Sequence, residues 1–270
     1  MYKEFIHIII IMTSNDKINE LLKIPQYEQR SPEWFSQREG KLTSSDAATA
    51  LGINPYQKPY ELLFKKCGHD LKPFIGNVAT LHGQKYEDYA IEKYCRVMGM
   101  TNYNFGLISY EQVHGQHEEY YFLAGSPDGI VINNSDQTGE PVLLEVKCPY
   151  RRKIVLNEIP KYYYPQVQLN LFICGLRLAD FIEYRPESPG KDEILNIVRV
   201  HLDMNWINKN FLILQKFWKE VEHYRNIGIQ NHPNFKTPKR QIDIMDYTDS
   251  ANTNDDTNDV INLDDYSFRE

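Results

Sequence analysis

The chain lacks most of the features that would settle its class at a glance. Its 270 residues hold only four cysteines, Cys67, Cys95, Cys148 and Cys174, and no two of them form a C-x-x-C pair. That spacing argues against a zinc site, a disulfide framework or a cysteine-clustered iron–sulfur centre. Reduced thiols in an intracellular, reducing compartment are the reading that remains. Long hydrophobic runs are also missing. Phe5 to Met12 is eight residues long and contains His7, too short to span a bilayer and without a small-residue cleavage site. No internal repeat is visible. Nor is there an excess of positive charge: 30 Lys and Arg stand against 37 Asp and Glu, a net of −7. The deficit is local, because nine acidic residues and one basic lie from Asp243 onward, leaving 29 basic and 28 acidic residues in the first 242. The body is near neutral and can carry a local basic groove.

What is present centres on Gly125-Ser126-Pro127-Asp128-Gly129 and, further on, Glu145-Val146-Lys147-Cys148-Pro149. Val142 to Val146 is apolar apart from Glu145 and reads as a buried strand. Period two then sets Glu145 and Lys147 on one face, with Leu144 and Val146 on the other. Ionisable groups on a buried strand need partners. Asp128, Glu145 and Lys147 together form a cluster able to hold a divalent metal and a reactive water, the arrangement of a metal-dependent nuclease. A lysine beside a metal is expected to be pushed toward neutrality and so to suit the role of base.

Taken in order, Met12 is a candidate start, followed by an amphipathic helix. Residues 1–24 read as an extension with that helix, 25–242 as one domain, and 243–270 as an acidic tail unable to bury a core. Ser31-Pro32 opens a helix that stops at Gly40. Thr43-Ser44-Ser45-Asp46 is expected to open another, ending at Gly52; its hydroxyls and N–H groups act as simple caps, the favoured reading from the residues alone, or as an anion site to which Arg38 could point, unless Arg38 forms a surface ion pair. Pro59 to Cys67 and Asn77 to Met98 read as helices; on the second, Glu87 shares a face with Gly83, Ala90 and Tyr94. Tyr103 to Tyr110 and Tyr120 to Ala124 read as strands. A turn then joins Ile130–Ile132 to the Glu145 strand and brings Asp128 near Glu145. Arg151 and Arg152 follow, placed to meet phosphates. Gln166 to Cys174 reads as a buried helix with a polar stripe of Gln166 and Asn170, whose amides need partners. Asp180–Tyr184, Ile194–Leu202 and a closing helix, Asn205–Asn226, complete the body.

Trp34-x-x-x-Arg38-x-Gly40 with Thr43-Ser44-Ser45, Gly83-x-x-Tyr86-Glu87, Ser126-Pro127-Asp128-Gly129, Glu145-Val146-Lys147-Cys148-Pro149 and Gln166-Val167-Gln168 occur in this order. The set resembles the YqaJ-type viral recombinase family, to which phage lambda exonuclease belongs, within the PD-(D/E)xK nuclease superfamily. The resemblance runs from about Pro32 to Met204. It implies an α/β (α+β) fold with a restriction-endonuclease-like core, a mixed central sheet flanked by helices. It implies a 5′-to-3′ exonuclease on linear duplex DNA, with Mg²⁺ (or Mn²⁺ in its place), two ions, as cofactor. Asp128 and Glu145 resemble the metal ligands, with the Val146 carbonyl beside them, and Glu87 the carboxylate for a second ion. Lys147 resembles the residue that positions or deprotonates the attacking water, Gln166 the glutamine at the active centre, and Arg38 with Ser45 the pair gripping a terminal 5′-phosphate. Ser44 stands where the family commonly has alanine, adding a donor. The family also implies a ring-shaped homotrimer and a single-strand annealing partner. A composition rich in Asn, Ile, Lys and Tyr fits an AT-rich genome such as a large DNA virus, which would place the chain in host cytoplasm or nucleus. The competing readings are an endonuclease on the same core and a nuclease-dead DNA-binding scaffold; a scaffold of that kind usually lacks a ligand, whereas all four of Asp128, Glu145, Lys147 and Glu87 are present.

Overall fold

Caps and glycines set the helix limits in this computed structural model, which describes residues 14–25, 27, 31–70, 76–135 and 139–236. The expectations for residues 1–13 and for the acidic tail fall outside the described residues. Contacts divide the chain between Phe235 and Lys236, and the described helices and strands all belong to the first unit. Helix α1 spans Ser14–Leu22. Helix α2 (Pro32–Glu39) begins where the Ser31 side chain accepts from the Trp34 N–H, and it ends at Gly40. Helices α3 (Ala47–Ala50) and α4 (Pro59–Lys66) are short. The long α5 (Val78–Met98) is capped by Asn77 and ends on Gly99 at φ 64°, a left-handed position that glycine adopts without a Cβ penalty. Helix α6 is Tyr110–His114, α7 Tyr164–Cys174 and α8 Met204–Ile227, the last capped by Asp203. Each such side-chain cap contributes about 1 kcal/mol.

The strands are β1 (Leu42–Thr43), β2 (Met100–Tyr103), β3 (Ile108–Ser109), β4 (Leu123–Gly125), β5 (Gly129–Asn133), β6 (Val142–Lys147), β7 (Leu178–Arg185) and β8 (Ile194–His201). The main sheet runs β2-β5-β6-β7-β8, and β1-β4-β3 form a smaller one. β6 and β7 are parallel while β5–β6 and β7–β8 are antiparallel, so the sheet is mixed, as expected. Alternation along β6 separates two cores. Val142, Leu144 and Val146 pack with Ala90, Ile91 and Tyr94 of α5, while Leu143 joins the larger core with α7 and α8. Glu145 shares the Leu143 face and therefore meets α7. A polar trio stabilises the sheet beyond: buried Asp180 accepts from Tyr94 Oη (2.6 Å) and from Arg199 Nε (2.5 Å).

Three expected elements differ. Tyr103 to Tyr110 is not one strand: β2 ends at Tyr103, β3 is two residues, and Tyr110 opens α6. Its apolar side chains (Phe105, Leu107, Ile108, Tyr110) are buried all the same, and the Ser109 N–H donates to Gln112 Oε1 at 2.8 Å, which starts a helix. Of Tyr120 to Ala124 only Leu123 and Ala124 are in a strand. Thr43 does not open a long helix either. It ends β1, and one 3₁₀ turn (Ser44–Asp46) leads into the four residues of α3.

Candidate nuclease site

The ladder between β5 and β6 assembles the central cluster. Gly129 pairs with Leu144, the Asp128 N–H donates to the Leu144 carbonyl (3.2 Å), and the Val146 N–H donates to Asp128 Oδ2 (2.7 Å). Asp128 is thus fixed beside the end of β6. Glu145 is fully buried; Lys147 Nζ donates to its Oε1, and Asn170 Nδ2 of α7 donates to its Oε2 (3.1 Å).

Burial raises the Glu145 carboxyl; Lys147 works against that shift, and the charges of Asp128 and Glu87 reinforce it. Burial works against the charge on Lys147, but Glu145 and then Asp128 outweigh it and raise the ammonium above its ordinary value. In this structure Lys147 is the counter-ion of the carboxylates. Burial, then Glu87, pushes the neighbouring Cys148 thiol up to about 12. All four cysteines are free.

A cleft of about 590 Å³ opens beside this cluster, lined among others by Trp34, Gly83, Glu87, Val146, Lys147 and Tyr163. Glu87 of α5 thus borders the same space as Lys147, and His82, one turn earlier, bonds through Nδ1 to the Cys148 carbonyl (3.1 Å), tying α5 to the end of β6. Among the described residues no ready-made group of three or more His, Cys, Asp and Glu stands close enough to hold a metal. The donor chemistry nonetheless fits a hard divalent cation: carboxylate oxygens and a carbonyl, with three carboxylates acting on one another around one ammonium.

The second cluster lies on α2 and the turn after β1. Arg38 stacks on Trp34 (4.2 Å to the ring centroid) and donates through Nη2 to Ser45 Oγ (2.9 Å) and Thr43 Oγ1 (3.2 Å). Burial lowers its guanidinium from the ordinary value, and Asp46 opposes that shift. Ser45 is exposed, while Thr43 and Ser44 are buried. At Thr43 the structure shows capping: its N–H and hydroxyl donate to Asp46 Oδ2 (3.1 and 2.6 Å) and are not free for an anion. Asp46 is in turn bound by Lys66 at 2.8 Å. Burial opposes ionisation of Asp46, but Lys66, Thr43 and Arg38 hold its carboxyl below the usual range.

The remaining candidates divide. Arg152 is committed to the buried Glu183 of β7, whereas Arg151 is exposed beside Tyr150. Gln166 is half-buried and, among the described residues, makes no hydrogen bond to the carboxylates. Asn170 makes that bond instead. The polar stripe on α7 had pointed to it, without showing which of the two amides would reach the centre. Asp46 and Lys66 were not singled out, although T-x-x-D at Thr43–Asp46 is a capping-box pattern.

An uncharacterised protein, R354, of Acanthamoeba polyphaga mimivirus is 34% identical over 179 residues, covering 63% of this chain and 31% of that one. Protein D345L of African swine fever virus is 29% identical over 168 residues, covering 53% and 46%. The chain therefore spans less than half the length of these relatives. Among solved structures, an alkaline exonuclease (LHK-Exo) from Laribacter hongkongensis superposes with a TM-score of 0.56 at 22% identity, over 73% of this chain and 95% of that one. The likeness shows a shared fold, a mixed sheet flanked by helices. Residues 33–177, more than half of the sequence, match the YqaJ-like viral recombinase domain, and the chain belongs to that family.

Proposed function

We propose that this chain is a divalent-metal-dependent exonuclease that degrades one strand of linear duplex DNA in the 5′-to-3′ direction. The observation that carries the proposal is the convergence of Asp128, Glu145 and Lys147 at the end of β6, where Lys147 and Val146 line a cleft that Glu87 borders from α5. Family membership and the fold shared with an alkaline exonuclease support it. Asp128, Glu145, the Val146 carbonyl and Glu87 would hold Mg²⁺ or Mn²⁺, two ions in all. When bound, such ions neutralise charge on the reacting phosphodiester and make water a competent nucleophile.

The chain's own residues do the rest. Lys147, which engages Glu145 and lines the cleft, positions the attacking water or takes its proton. Arg38 and Ser45 hold the terminal 5′-phosphate, which carries one more negative charge and one more free oxygen than an internal phosphodiester. Arg151 contacts the backbone further along.

The proposal is tested on linear duplex DNA with and without Mg²⁺. Cleavage should need the metal, stop on chelation, and be absent in Glu145→Ala although that variant remains folded by circular dichroism. Metal-independent cleavage, or wild-type rates in Glu145→Ala, would refute the assignment.

A further inference from the structure

Asn170 is fully buried on α7. Its Nδ2 donates to Glu145 Oε2 (3.1 Å), while its Oδ1, also buried, has no hydrogen-bond partner among the described residues. Leaving a buried acceptor unpaired is costly, so the amide is not there for stability alone. On its other side lies Gly125, the last residue of β4 and the start of the Gly125-Ser126-Pro127-Asp128 turn. A Cβ on Gly125 would sit 2.3 Å from Asn170 Oδ1, closer than any real contact. Gly125 has no positive φ, so its lack of a side chain answers to the space Asn170 occupies. The amide is held between the backbone that launches Asp128 and the carboxylate of Glu145.

We propose that Asn170 is a positioning residue of the site, wedged between Gly125 and Glu145 so that the turn carrying Asp128 and the Glu145 carboxylate are held as one unit. Its hydrogen bond fixes Oε2, which leaves Oε1 to face Lys147. Its bulk against Gly125 sets the depth of the turn. Because α7 supplies the amide, a helix with no carboxylate of its own sets the spacing of the two acidic side chains. The inference rests on the nuclease reading above.

The test uses the full chain and two readouts: Mn²⁺ binding by calorimetry without DNA, and kcat and KM for a linear duplex. In Asn170→Ala, Mn²⁺ binding should weaken and kcat should fall by about ten- to a hundredfold, the size of a hydrogen bond to a charged group, with KM for DNA within about twofold. Asn170→Leu keeps the bulk without the donor and should lose kcat as well. Gly125→Ala should reproduce the defect by displacing the amide. Combined with Asn170→Ala it should cost nothing more, because the new methyl then meets no oxygen. Unchanged Mn²⁺ binding and kcat in Asn170→Ala would overturn the proposal, as would strictly additive losses in the double variant. Failure of both Asn170→Ala and Asn170→Leu to fold would assign the residue to the core and overturn it too. A wild-type protein that neither binds Mn²⁺ nor cuts DNA would instead refute the functional reading, which separates the two failures.

Discussion

At the scale of single residues the site is a problem of buried charge. Glu145 is buried, and its position is tolerable because Lys147 and Asn170 each engage one of its oxygens. The sequence shows Glu145 and Lys147 on one face because strand period two is rigid. It cannot show that Asn170 rather than Gln166 meets Glu145, since both lie on one stripe and only the angle of α7 across the sheet separates them. Asp46 presents the same logic with a measurable consequence. Its carboxyl is held below the usual range, so the stabilisation from Lys66 and Thr43 is present at neutral pH and is lost as the pH falls through the folded-state value. Asp46→Asn should cost about 1–3 kcal/mol at pH 7. In melting experiments the gap to wild type should start to narrow below about pH 4, where the unfolded carboxyl takes up its proton, and close once the pH has fallen through the lower folded-state value. A gap that persists unchanged into acid would show that the ion pair is not its source.

Among the elements, those with capping residues or terminal glycines are the legible ones: α2 begins after Ser31 and ends at Gly40, α5 begins after Asn77, and α7 ends at Gly175 although it begins at Tyr164, two residues before the expected Gln166. The stretch after Thr43 was not, because Asp46 folds back on Thr43 and closes a 3₁₀ turn where a longer helix was expected. Tyr103 to Tyr110 misled for another reason. A buried irregular segment needs apolar side chains as much as a strand does, and period alone does not separate them. The corrected turn sharpens the case for Arg38. With the Thr43 donors spent on Asp46, a terminal phosphate would meet the guanidinium and the exposed Ser45 hydroxyl, already 2.9 Å apart. Arg38→Ala should therefore lose about ten- to a hundredfold of the preference for 5′-phosphorylated over 5′-hydroxyl ends, with cutting of hydroxyl ends little changed. Equal losses on the two substrates, measured side by side, would make Arg38 a packing partner of Trp34 and nothing more.

At the scale of the whole molecule, two helices on opposite faces of a mixed sheet converge on the end of β6, α7 bringing Asn170 and α5 bringing Glu87. Sequence order places these residues far apart, and only the sheet topology shows why they belong together. No helix among the described residues is long and apolar enough to cross a membrane. The residues from Asp243 to Glu270 carry nine acidic groups against one basic, and such a segment repels phosphates wherever it lies. Deleting it should leave kcat unchanged and tighten DNA binding at low salt, an effect that fades as ionic strength rises. A truncated protein that folds but no longer cuts would place the segment within the enzyme proper. The central claim, that Asp128, Glu145 and Lys147 form an end-dependent DNA-cutting site, is tested most directly by one digestion. Linear duplex labelled at either the 5′ or the 3′ end of one strand is incubated with Mg²⁺ beside a closed circle, with wild type and Asp128→Ala. The account predicts early release of the 5′ label, late release of the 3′ label, an intact circle, and no release by Asp128→Ala. Nicking of the circle, or label release by Asp128→Ala at the wild-type rate, would contradict it.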